Sequence, residues 1–413
     1  MIVKRIGCLI IIVLLCVHIG AQHKGSSFLP EPTGSYSIGT RSYEITYPVV
    51  TKRSSREDKV FVKIWYPSDS VVDVSHHKKY LEGYNLDEIY NNFKTKGITK
   101  EEIEDISNYY TNTTENLPIS LKQKNFPVIL FTPGYYFGLS DIYSSFTENL
   151  ASNGFIVCSI THQHQQINVE GKKGEDNSLQ KAKSALPFLQ WWWVRQRSLS
   201  DFEKPKNQER LTKYYLRNLR RFDRVIRKWE ASSMYCVDYF RDRVSQDPVF
   251  AKMDFERVGA FGQSIGGALS NHLCVKHKII KAGVSMDCFQ FGDVISCQQE
   301  KPLMLIESDH QYSWQIGNEY IYRNYKELEY LRIKGALHFL FCDVPYYDVV
   351  TSDEKIEGFI GETQGKIAVE KINQSVLSFF NRHLNHTKCN TDELFVHNNL
   401  FIHQINNQCI FLK

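Results

Sequence analysis

The sequence predicts an α/β fold: a mostly parallel central sheet with helices on both faces and helical, lid-like insertions. Three observations point there. Short apolar runs of the buried-strand type recur along the chain, as FPVILFT, FIVCSITH, RVGAFG, AGVSM and LMLIES. Stretches of helical periodicity lie between several of them. Turn residues bound the runs, Pro133-Gly134 being the clearest case. Parallel strands are covered on both sides by the helices that return the chain, so they read as continuous apolar runs rather than alternating ones.

The elements follow in order. MIVKRIGCLIIIVLLCVHIGAQ has a basic start at Lys4 and Arg5, an apolar stretch from Ile6 to Ile19, and small residues at Gly20-Ala21. It is expected to be a cleaved secretory signal over residues 1–21, short for a span of about 20 residues, with an uncleaved anchor as the alternative. One domain, 22–413, is expected after it, with insertions at about 75–120 and 165–206. VFVKIWYP, Val60 to Pro67, alternates as a half-buried strand should. Polar residues 75–120 contain short helical patterns such as ITKEEIEDISNYY. A strand ending at Pro133-Gly134, a helix over about 141–153 and the strand FIVCSITH follow. Leu211, Tyr215, Leu219, Phe222, Ile226 and Trp229 then share one side of a long helix, with Arg217, Arg220, Arg221, Arg224 and Lys228 opposite. RVGAFGQS, IKAGVSMD, KPLMLIESD and EYLRIKGALH are the later strands. The chain is expected to close on a helix burying Ala368, Ile372, Val376, Phe380 and Leu384.

Composition is that of a globular protein, 42% hydrophobic and 23% charged, with a net charge of +4. Such balance argues against nucleic acid as a partner. Ten cysteines are present, two of them in the leader. Export permits disulfides, and Cys288/Cys297 and Cys389/Cys409 are close enough in sequence to pair. Cys158 and Cys274, in apolar runs, read as buried thiols. Sequons stand at Asn112, Asn373 and Asn385.

In open parallel sheets, chemistry gathers at the carboxyl ends of the strands. The residues there are Gly134-Tyr135, His162, Ser264, Asp287, Asp309 and His338. Ser264 sits in G-Q-S-I-G, a string expected by chance in roughly one chain in ten of this length. Its context raises it: RVGAFG turns directly into SIGGALSNHLCVKH, the strand–elbow–helix setting of an α/β-hydrolase nucleophile. Gly262 and Gly266 remove the Cβ atoms that would clash on so tight a turn. A serine needs a base and an orienting carboxylate, which in this fold follow in the order Ser, acid, His. His338 is the best-placed base, since His272 lies inside the helix after the elbow. Two acids remain open, Asp287 and Asp309, and strand order alone slightly favours the later one; Asp293 and Asp343 are remoter choices. The oxyanion donors are expected from the backbones of Tyr135 and Ile265. Gly134, Tyr136 and Gln263 are expected on the substrate side.

With these residues assembled, the chain resembles the plasma and type II platelet-activating factor acetylhydrolases. PTGSYSIGTRSYEI and VKIWYPSD resemble the family's opening segments. FTPGYYFGLSDIYSSFTENLASNGFIVCSITHQ is similar to its oxyanion strand and the following strand, and ERVGAFGQSIGGA to its elbow. GVSMDC, GALHFLFCDV and INQSVLSFFNRHL are similar to its acid, histidine and final-helix segments. The resemblance implies a triad of Ser264, Asp287 and His338, no metal or cofactor, and removal of short or oxidised sn-2 acyl groups from phospholipids. It departs at Gln263 and Pro133, where the family usually has histidine. A general esterase resembling the dienelactone hydrolases, or a silent binding protein on the same fold, are the alternative readings.

Other features are weighed more lightly. QWWWVR, Gln190 to Arg195, could meet a lipid surface transiently or form the core of a lid. His162 and His164 form an H-x-H pair, but no third ligand is evident from the sequence, so no metal is expected.

Overall fold

The computed structural model describes residues 28–50, 55–94, 97–167, 185–198, 205–291, 294, 301–308, 318, 325, 328–348, 353–387, 401–405 and 408–410. The expected leader, Asp293, Asp309, Cys297, Cys389 and most of the expected 165–206 insertion lie outside these residues, as does the side chain of Leu211.

Eleven strands form one sheet: β1 (Ser37–Val50), β2 (Ser55–Ser68), β3 (Thr113–Glu115), β4 (Phe126–Thr132), β5 (Ile156–His162), β6 (Met253–Gln263), β7 (Ile280–Met286), β8 (Leu303–Ser308), β9 (Leu328–Ile333), β10 (Phe401–Ile405) and β11 (Gln408–Ile410). Their spatial order is β11-β10-β9-β8-β7-β6-β4-β5-β2-β1-β3. Neighbours from β5 through β9 pair in parallel. The long β1–β2 hairpin joins β5 antiparallel on one flank, and β10–β11 joins β9 antiparallel on the other.

Helices cover both faces: α1 (Leu86–Phe93), α2 (Lys100–Ser107), α3 (Ser144–Ser152), α4 (Leu186–Ser198), α5 (Pro205–Asn218), α6 (Arg220–Asp242), α7 (Ile265–Lys276), α8 (Asp353–Ile360) and α9 (Gly365–Leu384). Strand alternation divides the side chains between two cores. Ile129 and Phe131 join one with α3 and α9, while Val128 and Leu130 join the other with α6 and α7. All seven residues of β4 and of β5 are buried, as expected for strands covered on both sides. The α9 stripe of Ala368, Ile372, Val376, Phe380 and Leu384 is fully inside. Each of its four larger side chains contributes about 1.5–3 kcal/mol by leaving water. Residues 75–120, read as an insertion, carry α1 and α2 and return through β3, which pairs in parallel with β1.

Three expectations change. The helix read from Leu211 to Trp229 is two helices, broken at Leu219 (φ −96°, ψ 37°). Just before the break, the Asn218 side-chain amide donates to the Tyr214 carbonyl at 2.7 Å, a local bond of the kind that competes with the helical ladder. Tyr215, Leu219, Phe222, Ile226 and Trp229 still share one buried side. Second, the chain does not close on α9, because the β10–β11 hairpin extends the sheet beyond it. Third, Cys288 is a free, buried thiol whose Sγ faces the Phe289 carbonyl, so it forms no disulfide with Cys297. Two of the sequons also make poor glycan acceptors. Asn112 Nδ2 already donates to Glu148 and to the Pro30 carbonyl, and Asn373 is buried on α9. Cys158 and Cys274 are buried, as read.

Candidate active site

Ser264 is the single residue between β6 and α7. Its N–H still continues the ladder to Met286 O at 2.8 Å, while its own carbonyl already accepts from Gly267 and Ala268 as the first turn of α7. Passing from strand to helix in one residue forces φ to 56° with ψ −133°, a region that non-glycine residues rarely occupy. The glycines make the elbow possible. A Cβ on Gly266 would lie 2.0 Å from Thr132 O, and one on Gly262 would lie 2.4 Å from the Gly266 backbone. The elbow is therefore wedged against the end of β4, which carries the loop at Pro133-Gly134.

Asp287 follows β7 directly and also has positive φ, 47°. Its Oδ2 accepts from His338 Nδ1 at 2.6 Å. Its Oδ1 accepts from the Ser308 N–H at 3.0 Å and the Ser308 hydroxyl at 2.8 Å. Burial alone would raise this carboxyl. The His338 contact and the two Ser308 donors outweigh it, holding Asp287 below the usual carboxylate range. His338 opens a short 3₁₀ turn after β9. The preceding Leu337 N–H is tied to Ile360 O at 2.8 Å, so α8 fixes where the imidazole stands.

Gln263, at the end of β6, has its amide nitrogen 3.1 Å from His338 Nε2 and 3.3 Å from the His338 carbonyl. Tyr143 donates to Gln263 Oε1 at 3.0 Å, and Gly134 N–H donates to the Tyr143 oxygen at 3.2 Å. A Cβ on Gly134 would stand 2.8 Å from Gln263 Oε1 and 3.4 Å from Ser264 Cβ, so the loop after β4 lies directly against the serine.

These residues share one cavity of about 470 Å³, lined by Ser264, His338, Asp287, Gln263, Gly134 and Tyr135 and closed by aromatic walls. Phe188 and Trp191 of α4 form part of those walls, so the QWWWVR segment borders the site. Ser264 is 6% exposed, enough for a hydroxyl at the floor of a pocket.

The structure thus brings together Ser264, Asp287, His338, Gln263, Gly134 and Tyr135. Ile265 begins α7 beside the serine. Tyr136 is not among the residues lining the cavity. Its φ is 71°, its N–H donates to Gln165 O at 2.7 Å, and its ring packs on Phe137 and Phe188. Of the remoter acids, Asp343 is buried elsewhere and accepts from Tyr80, Ser144 and Ser145. His162 also lies away from the cavity wall, stacked on Trp229 with ring centroids 4.5 Å apart. Sequence reasoning missed Ser308 and Tyr143. Ser308 could have been found as the last residue of the strand beside the acid; Tyr143 carried no signal, being one tyrosine in a buried turn.

A serine on a strained elbow, an imidazole held by a buried carboxylate and a backbone-lined loop in one apolar cavity can perform acyl transfer through a covalent intermediate. Comparison with known proteins agrees. The sequence profile of the family "Platelet-activating factor acetylhydrolase, isoform II" matches residues 21–398. The chain is 24% identical to platelet-activating factor acetylhydrolase of Bos taurus over 389 residues, covering 88% of this chain and 79% of the relative. It is 22% identical to the Canis lupus familiaris protein of the same name over 378 residues, covering 87% and 78%. Its fold is similar to that of a ferulic acid esterase from Streptomyces cinnamoneus, with a TM-score of 0.63 at 17% identity over 88% of this chain and 95% of that one.

Proposed function

The chain belongs to the family of platelet-activating factor acetylhydrolases, isoform II, and from that premise we propose that it hydrolyses carboxylic esters of phospholipids at Ser264. The substrates are short or oxidised acyl groups at the sn-2 position. The observation that carries this reading is the His338–Asp287 contact at 2.6 Å in the cavity that also holds the elbow serine.

Asp287 Oδ2 accepts from His338 Nδ1, which leaves the lone pair on Nε2, where the Gln263 amide at 3.1 Å gives way to the Ser264 hydroxyl. His338 Nε2 takes the Ser264 proton as Oγ bonds to the ester carbonyl carbon. The oxyanion that forms is held by the N–H groups of Tyr135 and Ile265. The bond from that carbon to the glycerol oxygen then breaks, and His338 returns the proton to the departing lysophospholipid. Water, deprotonated by the same imidazole, attacks the acyl-enzyme and releases the carboxylic acid and free Ser264.

The cavity walls suit a short acyl chain, with Phe137, Phe188, Trp191 and Phe339 around the serine. Beside the mouth, α4 leaves Leu189, Trp192 and Trp193 at 61%, 55% and 52% exposure. Indole rings favour the boundary between water and lipid, so this edge of α4 touches the lipid surface from which substrate is drawn. Export through the 1–21 leader belongs to the same proposal, and the N-terminus of protein recovered outside the cell tests it.

The function is tested by hydrolysis of phosphatidylcholines graded in sn-2 length, with p-nitrophenyl acetate alongside. Turnover that falls as the sn-2 chain lengthens from two carbons to sixteen is expected. Turnover of the soluble ester with none of any phospholipid would favour a general esterase. No hydrolysis of either would favour a silent binding protein.

A further inference from the structure

Two consecutive carbonyls of the loop after β4 point at the same side-chain nitrogen. Gln166 Nε2 donates to Pro133 O at 2.8 Å and to Gly134 O at 3.2 Å. In a trans peptide the N–H points opposite to its carbonyl. Holding these two carbonyls on the Gln166 side therefore turns the N–H groups of Gly134 and Tyr135 to the other side. That other side is the catalytic one. The Gly134 N–H reaches Tyr143, whose hydroxyl bonds Gln263, and Gly134 itself lies against Ser264. We propose that Gln166 is the positioning residue of the oxyanion hole, aiming the Tyr135 N–H at the reacting carbonyl oxygen. The inference rests on the serine-ester reading and adds to it a residue that never touches substrate.

The amide orientation of Gln166 is fixed by its surroundings rather than chosen. Its Oε1 accepts from the His162 backbone N–H at 2.8 Å, an obligate donor, so Nε2 must face the two carbonyl oxygens, which are obligate acceptors. The same Oε1 lies 3.1 Å from His162 Nδ1, and His162 Nε2 lies 2.8 Å from Ser232 Oγ. Nδ1–H donating to Gln166 and Nε2 accepting from Ser232 satisfies the whole set with a neutral ring. Burial first, and the nearby Lys228 charge second, hold His162 down at about 3, so the ring stays neutral across the working range.

The frame behind Gln166 is rigid. His162 stacks on Trp229 at a 9° interplanar angle, and Trp229 Nε1 donates to Gln165 Oε1 at 2.9 Å. The turn also binds the loop through its backbone, with Tyr136 N–H on Gln165 O at 2.7 Å and Ile167 N–H on Gly138 O at 3.0 Å. Those backbone bonds anchor the loop's far end. Nearer Ser264, Gln166 Nε2 holds the two carbonyls on one side, and Tyr143 takes the Gly134 N–H on the other.

The test is Gln166→Leu, which keeps the volume and removes the donor, assayed with p-nitrophenyl acetate and a trifluoromethyl ketone that forms a tetrahedral adduct with serine. Removing an oxyanion donor outright lowers kcat by ~10²–10³. Loosening its aim is expected to lower kcat by about 10- to 100-fold and to weaken the ketone by the same factor, with KM changed by less than about threefold. Gln166→Asn, which keeps an amide but draws it back by one methylene, serves where the leucine variant does not fold, and should show the same paired loss. Wild-type-like kcat and ketone binding in either folded variant overturns the inference, as does a loss confined to KM. Failure of wild type to form a ketone adduct would instead overturn the ester-hydrolase reading itself.

Discussion

Asp287→Asn is the substitution whose outcome the structure fixes most closely. Asp287 Oδ1 is held by the Ser308 backbone N–H at 3.0 Å and by its hydroxyl at 2.8 Å. A backbone N–H cannot become an acceptor. The asparagine carbonyl must therefore stay at Ser308, which puts the NH₂ group against His338 Nδ1, at the 2.6 Å contact the carboxylate now makes. Two donors cannot share that contact, so His338 moves its proton to Nε2, displacing the Gln263 amide that donates there, and loses the lone pair that should receive the Ser264 proton. A wrong tautomer in an otherwise intact triad lowers kcat by ~10⁴ in the serine proteases. A fall of about 10³–10⁴ in kcat is expected here, with KM changed by less than about twofold, measured on p-nitrophenyl acetate and a short-chain phosphatidylcholine. A variant retaining a tenth or more of wild-type kcat would refute the tautomer argument. Asp309→Asn is the companion, and a large loss there with none at Asp287 would move the acid to the next strand.

Three further outcomes follow from the same geometry. Gly266→Ala drives a Cβ to 2.0 Å from Thr132 O, a backbone atom that cannot swing aside; a loss of roughly 3 kcal/mol or more in urea denaturation, together with loss of esterase activity, is expected. Ser308→Ala removes one of the donors that hold Asp287 below its ordinary range. Because the lost bond is to the ionised form, stability should drop by about 1–2 kcal/mol at pH 7. A depressed folded-state value contributes stability that is lost as pH falls through it, so the gap between variant and wild type should close in acid; a gap that widens there would contradict the assignment. Trp192→Ala combined with Trp193→Ala should lower turnover of phospholipid vesicles several-fold and leave p-nitrophenyl acetate unchanged, and equal losses on both would remove the lipid-surface role.

Much of the fold and most of the site were legible in the sequence for a common physical reason. Buried parallel strands must be apolar along their whole length, so β4 and β5 announced themselves as FPVILFT and IVCSITH. The elbow was legible because its sterics admit only glycine at 262 and 266. The acid was left between Asp287 and Asp309, since sequence places both at strand ends and carries no sign of which carboxylate faces the His338 ring. What stayed hidden depends on direction rather than on period. The break at Leu219 involves neither glycine nor proline. Cys288 has a neighbour in sequence at Cys297, yet its thiol faces the Phe289 carbonyl. Tyr136 follows Tyr135, the proposed oxyanion donor, yet its backbone turns to Gln165 and keeps it off the cavity wall. Gln165 and Gln166 read as a polar HQHQQ turn, because nothing in a glutamine's spacing tells that its amide is buried between two carbonyls. The β10–β11 pair was not expected, since the chain was read as closing on a helix, although LFIHQI and QCIFL are short apolar-rich runs of strand type.

The central claim is that the Ser264 hydroxyl is the nucleophile. Treatment with a fluorophosphonate, followed by intact mass and peptide mapping, measures it directly. The account predicts one adduct per chain, carried on the peptide that contains residue 264 and absent from Ser264→Ala. An adduct on another residue, or an active protein that carries none, would contradict it.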